Sequence, residues 1–222
     1  MIVTIDGPSG TGKSTMARRL AGVLNIAFFD TGALYRSLAW WLQHKDCALE
    51  RVQECLKDFV LVIQEERGGV RYFVGEQDVS LAIRSPDITL LASKLAAIKE
   101  VREALLPLQR DYAKDRDVVF EGRDIGSIVF PAAEIKIFLT ASPEVRAERR
   151  YKEMKAKGVN PLPPFNEVLL SLQQRDTRDS EREVAPLLCP KGAFVLDTSS
   201  LTQDEVLDIL VQHCKSKQRG EG

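Results

Sequence analysis

The stretch Ile2-Val3-Thr4-Ile5-Asp6-Gly7-Pro8-Ser9-Gly10-Thr11-Gly12-Lys13-Ser14-Thr15 decides how this chain folds. Ile2 to Ile5 are apolar or β-branched and lead to a closing acid, Asp6, which is the composition of a buried strand. From Gly7 the spacing is glycine, four residues, then Gly12-Lys13-Ser14, the Walker A pattern of a phosphate-binding P-loop. Glycines at 7, 10 and 12 permit positive φ and turn backbone N–H groups inward, so that a polyphosphate is cradled at a helix N-terminus. Lys13 adds a mobile cation toward the β- and γ-phosphates. Ser14 offers a hydroxyl oxygen to Mg²⁺, a hard ion that usually keeps several waters. The strand before the loop and the helical pattern after it favour this reading over a glycine-rich surface turn.

Outward from that stretch, apolar or aromatic runs recur at Ala27 to Asp30, Val118 to Gly122, Ile135 to Ala141 and Ala193 to Thr198, mostly separated by helical patterns. This alternation predicts an α/β fold: a five-stranded parallel sheet covered by helices, with ligands at the carboxyl ends of the strands. Met16, Ala17, Leu20, Ala21 and Leu24 share one face of the first helix, and Arg18 and Arg19 turn away. Ser142-Pro143 supplies an N-cap and an N1 proline, and Thr202 to Glu205 reads as a capping box. The polar tail from Lys215 to Gly222 is expected to fray. Phe59 to Ile63 and Val70 to Val74 flank Glu65-Glu66-Arg67-Gly68-Gly69, which predicts a β-hairpin with a further short strand within 59–79. Lying between the second and third core strands, it is expected to be an insertion projecting over the ligand edge. Pro161-Leu-Pro-Pro164 separates two helical patterns as a hinge or stiff connector.

At 222 residues, 28% charged and 44% apolar, the chain suits one sizeable α/β domain with insertions. A net charge of −1 argues against a nucleic-acid carrier. Cys47, Cys55, Cys189 and Cys214 form no CxxC pair, and His44 and His213 have no ligand-like spacing, so neither zinc nor a disulfide framework is indicated. Buried, reduced thiols of a cytoplasmic protein are the expectation. No leader precedes the first strand and no apolar run reaches transmembrane length, so no membrane partner is expected.

Polar clusters stand at the ends of the second and third strands: Asp30-Thr31-Gly32-Ala33-Leu34-Tyr35-Arg36 and Glu121-Gly122-Arg123-Asp124-Ile125-Gly126. Farther on, Arg175 to Arg182 packs three arginines and two aspartates into eight positions. Alone, such a run reads as an ion-paired helix face. Beside a P-loop its meaning changes, because phosphoryl transfer needs several cations to hold two phosphates in line, and a planar guanidinium grips phosphate bidentately.

With IDGPSGTGKST, DTGALYR, the IRSP turn at Ile83 to Pro86, EGRDIGSIVFP and RDTRDSER all present, the chain resembles the bacterial-type cytidylate kinases over nearly its whole length. That family of P-loop nucleoside monophosphate kinases passes the γ-phosphate of ATP to CMP or dCMP. The resemblance implies a P-loop kinase fold with a β-containing monophosphate-binding insertion at about 37–112 and a short lid at about 146–164. It implies ATP on Gly7, Pro8, Ser9, Gly10, Thr11, Gly12, Lys13, Ser14 and Thr15, with Arg146 and Arg150 the phosphate-facing residues of the lid. It also places Thr31, Tyr35, Arg36, Arg123 and Arg175 around the acceptor and its phosphate, Ser93, Arg102 and Asp124 at the base, and Asp179 at the sugar hydroxyls. Arg182 helps hold the transferring phosphate, so Lys13, Arg123, Arg175 and Arg182 form the expected catalytic set, with Mg²⁺ at Ser14. Thr31 departs from the family's usual serine but keeps a hydroxyl. Without the resemblance, Arg146 to Lys157 reads as an exposed helix with i,i+4 pairs. Glu121 stands where an acid either steadies a Mg²⁺-bound water or makes a structural contact. A cytoplasmic monomer is expected.

Cytosine offers an amino donor at N4 beside acceptors at N3 and O2. A carboxylate with arginine and serine donors complements that edge, whereas uracil turns an acceptor toward the carboxylate. A GTPase-type switch shares the P-loop, but the chain has neither an Asn-Lys-x-Asp nor an Asp-x-x-Gly signature. The arginines disfavour an uncharged alcohol as acceptor.

Overall fold

The computed structural model describes residues 1–48, 51–66 and 69–219. Two compact units divide them: Met1–Phe29 with Ala113–Gly222, and Asp30–Tyr112.

The first unit is organised by the expected sheet. Strands β1 (Ile2–Asp6), β2 (Ala27–Asp30), β6 (Val118–Glu121), β7 (Ile135–Thr140) and β8 (Phe194–Asp197) lie in the order β2-β6-β1-β7-β8. β1 pairs in parallel with both β6 and β7, and β7 in parallel with β8. Because β1 is central and covered on both faces, its residues are withdrawn from water on both sides, and only Thr4 and Asp6 there are polar. Val3, Ile5, Val118, Val119, Phe120, Ile137 and Leu139 are accordingly shut off from solvent. Around the sheet run α1 (Lys13–Leu24), α6 (Pro143–Ala156), α7 (Phe165–Glu181) and α8 (Gln203–Gln218). Met16, Ala17, Leu20 and Ala21 form the buried stripe of α1, while Leu24 at its end is half-buried. The expected caps are present. Ser142 accepts from the Val145 amide before Pro143, and Thr202 and Glu205 form a complete capping box. That start and basic residues in its last turn carry α8 through Gln218, beyond the fraying expected from Lys215; residues 220–222 lie outside the described chain.

The second unit holds α2 (Thr31–His44), α3 (Val52–Leu56), an antiparallel sheet of β3 (Leu61–Glu66), β4 (Gly69–Val74) and β5 (Gln77–Asp78), then α4 (Pro86–Leu95) and α5 (Lys99–Tyr112). The hairpin forms in register from Leu61–Val74 to Glu66–Gly69, so Glu65, Glu66 and Gly69, expected in the turn, extend its strands instead; the other expected turn residues, Arg67 and Gly68, lie outside the described chain. Leu34, Leu38 and Leu42 repeat at i,i+4 and bury one face of α2, which packs on α4 and β4. The Ile83 to Pro86 turn leads from a short 3₁₀ segment, Ala82–Arg84, through Ser85 into α4, which the Ser85 hydroxyl caps by accepting from the Ile88 amide at 3.3 Å. This compact unit starts at Asp30, earlier than the expected insertion, because α2 packs with the elements that follow it.

The cysteines depart from the expectation of four buried, reduced thiols. Cys47 and Cys55, with α-carbons 6.8 Å apart, are joined as a disulfide, and Cys189 is exposed. Only Cys214 is a buried free thiol, with burial raising its pKa to about 11.

Ile5 is fully buried in the central strand. Ile5→Ala is expected to lower the unfolding free energy by about 2–5 kcal/mol, read from urea denaturation. A loss under about 0.5 kcal/mol would place the core elsewhere.

Candidate active site

The P-loop begins with a reversal that only glycine can make. Gly7 has φ 142°, and a β-carbon there would stand 2.0 Å from the Leu139 carbonyl oxygen of β7. Gly10 and Gly12 also take positive φ. Gly12 precedes α1 with no side-chain cap, so the first amides of the helix are not consumed by a capping oxygen. Lys13 lies along the loop and donates from Nζ to the Pro8 carbonyl at 2.6 Å. Burial and the neighbouring Arg123 lower its pKa to about 7, with Arg175 acting in the same sense. Ser14, also in the first turn, donates to Glu121 Oε1 at 2.6 Å, and Glu121 is buried at the end of β6. A hydroxyl and a carboxylate at that spacing are the hard oxygen donors Mg²⁺ accepts, completed by waters and phosphate oxygens.

Two buried carboxylates organise the arginines. Asp179 of α7 accepts from Arg123 Nε at 3.0 Å and lies 3.9 Å from Arg175 Nε. Burial pushes the Asp179 carboxyl up, but Arg123 and Arg175 outweigh it and hold the group below the usual carboxylate range. Asp124 pairs with Arg182 at 3.5 Å, with both side chains 7% exposed. Arg182 also donates to the Ala185 carbonyl. Lys13, Glu121, Arg123, Asp124, Arg175, Asp179 and Arg182 thus belong to one compact unit, on α1, β6, the segment leaving β6, and α7 with the residue that follows it.

The two residues expected in a lid separate. Arg146 is buried at the P-loop: it donates to the Ser9 carbonyl at 3.1 Å and the Ala141 carbonyl at 3.0 Å, and pairs with Asp176. Arg150 is half exposed on α6 and pairs with Glu153. Asp176 was not singled out by the sequence, nor was Thr198, whose hydroxyl lies 3.1 Å from the Thr140 carbonyl and 3.4 Å from that of Thr11, with Arg149 donating to it at 2.9 Å. Asp6 was missed too. Its carboxylate accepts from the Ile125 and Gly126 amides, and burial, only partly offset by those bonds, raises its pKa to about 7. An acid closing an apolar, fully buried strand was the available signal.

The remaining expected residues lie in the second unit. Thr31 is buried at the start of α2, capped by Asp30, which accepts from the Ala33 amide at 2.8 Å. Arg36 pairs with Asp30 at 2.9 Å. The Arg102 guanidinium sits 5.8 Å over the Tyr35 ring and donates to the Ala96 carbonyl. Ser93 is half-buried on α4.

A glycine-cradled loop at the end of a central parallel strand, with a buried lysine and clustered arginines, defines a P-loop phosphotransferase. The chain belongs to the cytidylate kinase family, which it matches over residues 3–216. It is 43% identical over 218 residues to the cytidylate kinase of Protochlamydia amoebophila, covering 96% of each chain. With the cytidylate kinase of Caldanaerobacter subterraneus it shares 41% over 219 residues, covering 99% of this chain and 96% of that one. The fold is also that of an uncharacterized protein from Eubacterium ventriosum, at a TM-score of 0.53 and 12% identity over 97% of this chain and 99% of the other.

Lys13→Ala is expected to lower the turnover of ATP-dependent phosphoryl transfer by about a hundredfold or more with the fold intact, the scale of losing one oriented donor. Near wild-type turnover in the folded variant would remove Lys13 from the chemistry.

Proposed function

We propose that this protein transfers the γ-phosphate of ATP to CMP or dCMP, giving ADP and CDP or dCDP. The observation that carries the reading is the grouping of Lys13, Arg123, Arg175 and Arg182 with the buried acids Asp124 and Asp179, in a chain of this family. The P-loop amides and Lys13 hold the donor triphosphate, whose negative charge restores the ammonium that burial and Arg123 disfavour. Ser14 and Glu121 would hold Mg²⁺, Glu121 through a water, and a bound ion would supply charge neutralisation to the phosphate oxygens. Arg123, Arg175 and Arg182 neutralise the acceptor and transferring phosphates. No strong base is required, because the acceptor phosphate is already an anion and the work is positioning and charge neutralisation. Asp179, held ionised, accepts from the sugar hydroxyls. Asp124, Ser93 and Arg102 read the base. Segment 146–164 acts as a short lid in which Arg146 braces the P-loop backbone, and residues 37–112 serve as the monophosphate-binding insertion. Closure of both excludes water, so that ATP is not hydrolysed idly. The enzyme works as a cytoplasmic monomer.

Base selection tests this reading. With ATP and Mg²⁺, CMP and dCMP are expected to be good acceptors, UMP poor, and AMP and GMP close to inactive. A buried carboxylate facing the uracil acceptor costs about 1–3 kcal/mol, roughly a five- to more than a hundredfold loss in kcat/KM. Asp124→Ala should damage CMP use far more than UMP use. Equal use of CMP and UMP by the wild type, or an unchanged ratio in the variant, would overturn the cytidylate assignment.

A further inference from the structure

Asp6 closes β1 immediately before the P-loop and is fully buried. Both of its carboxylate oxygens are occupied by backbone donors from the segment leaving the neighbouring strand β6: the Ile125 amide donates to Oδ1 at 2.8 Å and the Gly126 amide to Oδ2 at 2.7 Å. These are the first amides of a one-turn π-helical segment, Ile125–Val129, whose N–H groups have no intrahelical partner. Without Asp6 two donors would be stranded in the core, at about 1–3 kcal/mol each. The approach depends on glycine. A β-carbon at Gly126 would lie 2.7 Å from Thr4 Oγ1 and 3.3 Å from Asp6 Oδ2.

The two residues just before these amides are Arg123 and Asp124. Arg123 reaches Asp179, and Asp124 reaches Arg182. We infer that Asp6 is a positioning residue for the acceptor nucleotide: by clamping the Ile125 and Gly126 amides it fixes where Arg123 and Asp124 stand relative to the strand that launches the P-loop. The inference rests on the proposed roles of those two residues at the acceptor. An acid is required because two N–H groups need two acceptor oxygens. Asparagine has the same shape but turns one N–H₂ against an N–H. The cost of the arrangement is visible in the raised pKa of Asp6, since a carboxyl is held out of water where Asp124 adds a second negative charge and Lys13 an opposing positive one.

Asp6→Asn is the test, read in two ways. Amide hydrogen exchange on the ligand-free protein is expected to accelerate tenfold or more at Ile125 and Gly126 and to stay unchanged in Ile135–Thr140. Steady-state kinetics are expected to show KM for CMP rising tenfold or more, KM for ATP changing less than threefold, and the preference for CMP over UMP narrowing. Unchanged exchange, or equal rises in the two KM values, would overturn the inference. Failure of the wild type to use CMP would overturn the acceptor reading instead, and the exchange readout would still decide whether Asp6 clamps the segment. Should Asp6→Asn not fold, Gly126→Ala separates the same atoms from the other side and is expected to give the same kinetic split; similar rises in both KM values would again contradict it. In the wild type the two amides must exchange as slowly as those of β1, and rapid exchange there would sink the clamp.

Discussion

The close passage of Gly7 over the Leu139 carbonyl is the constraint on which the rest depends. β1 is the central strand, hemmed in by β6 and β7, and the chain must leave it without colliding with the backbone of β7. Only a residue without a β-carbon, at φ 142°, can do so. Once the chain has turned there, the loop folds back over the sheet edge, α1 begins uncapped at Lys13, and its amides are presented where a phosphate can meet them. β6 ends beside the same edge, so Glu121 meets Ser14 and Arg123 comes close enough to influence Lys13.

Charge then does the positioning. Arg123 and Arg175 share Asp179, Arg182 has Asp124, and Arg146 spans Ser9 and Asp176. Buried pairs of this kind add little net stability, because desolvation offsets much of their attraction. In the proposed reaction their value is geometric: each long cationic side chain is held in one place beforehand, which would leave less ordering cost for the reaction. The depressed pKa of Lys13 belongs to the same design, since a cation among cations in a dry site gains most from a bound anion.

The sheet was legible because a buried parallel strand reads as an unbroken apolar run, and all five runs became strands. The P-loop was legible because its glycines and lysine sit within a few residues of one another. Periodicity shows which face of an element is buried but not what faces it, and this limits the rest. Asp6 meets Gly126 from 120 positions away and Arg146 meets Asp176 from 30, so neither partnership leaves a local trace. Arg146 and Arg150 illustrate the loss. They are one helical turn apart and alike in sequence, yet one is buried against the P-loop and the other is half exposed. The cysteines were misread for a related reason: spacing carried no signal for Cys47 and Cys55, which the segment leaving α2 and the last turn of α3 bring together.

The chemistry to be tested is transfer of a phosphoryl group from the P-loop to a cytidine monophosphate rather than to water. The direct measurement is ³¹P NMR of the purified protein with ATP, Mg²⁺ and CMP, following where the γ-phosphate goes. The γ resonance is expected to be replaced by the β-phosphate resonance of CDP in step with ADP, with little inorganic phosphate, and ATP alone is expected to be nearly inert. Accumulation of inorganic phosphate at the same rate with or without CMP would contradict it.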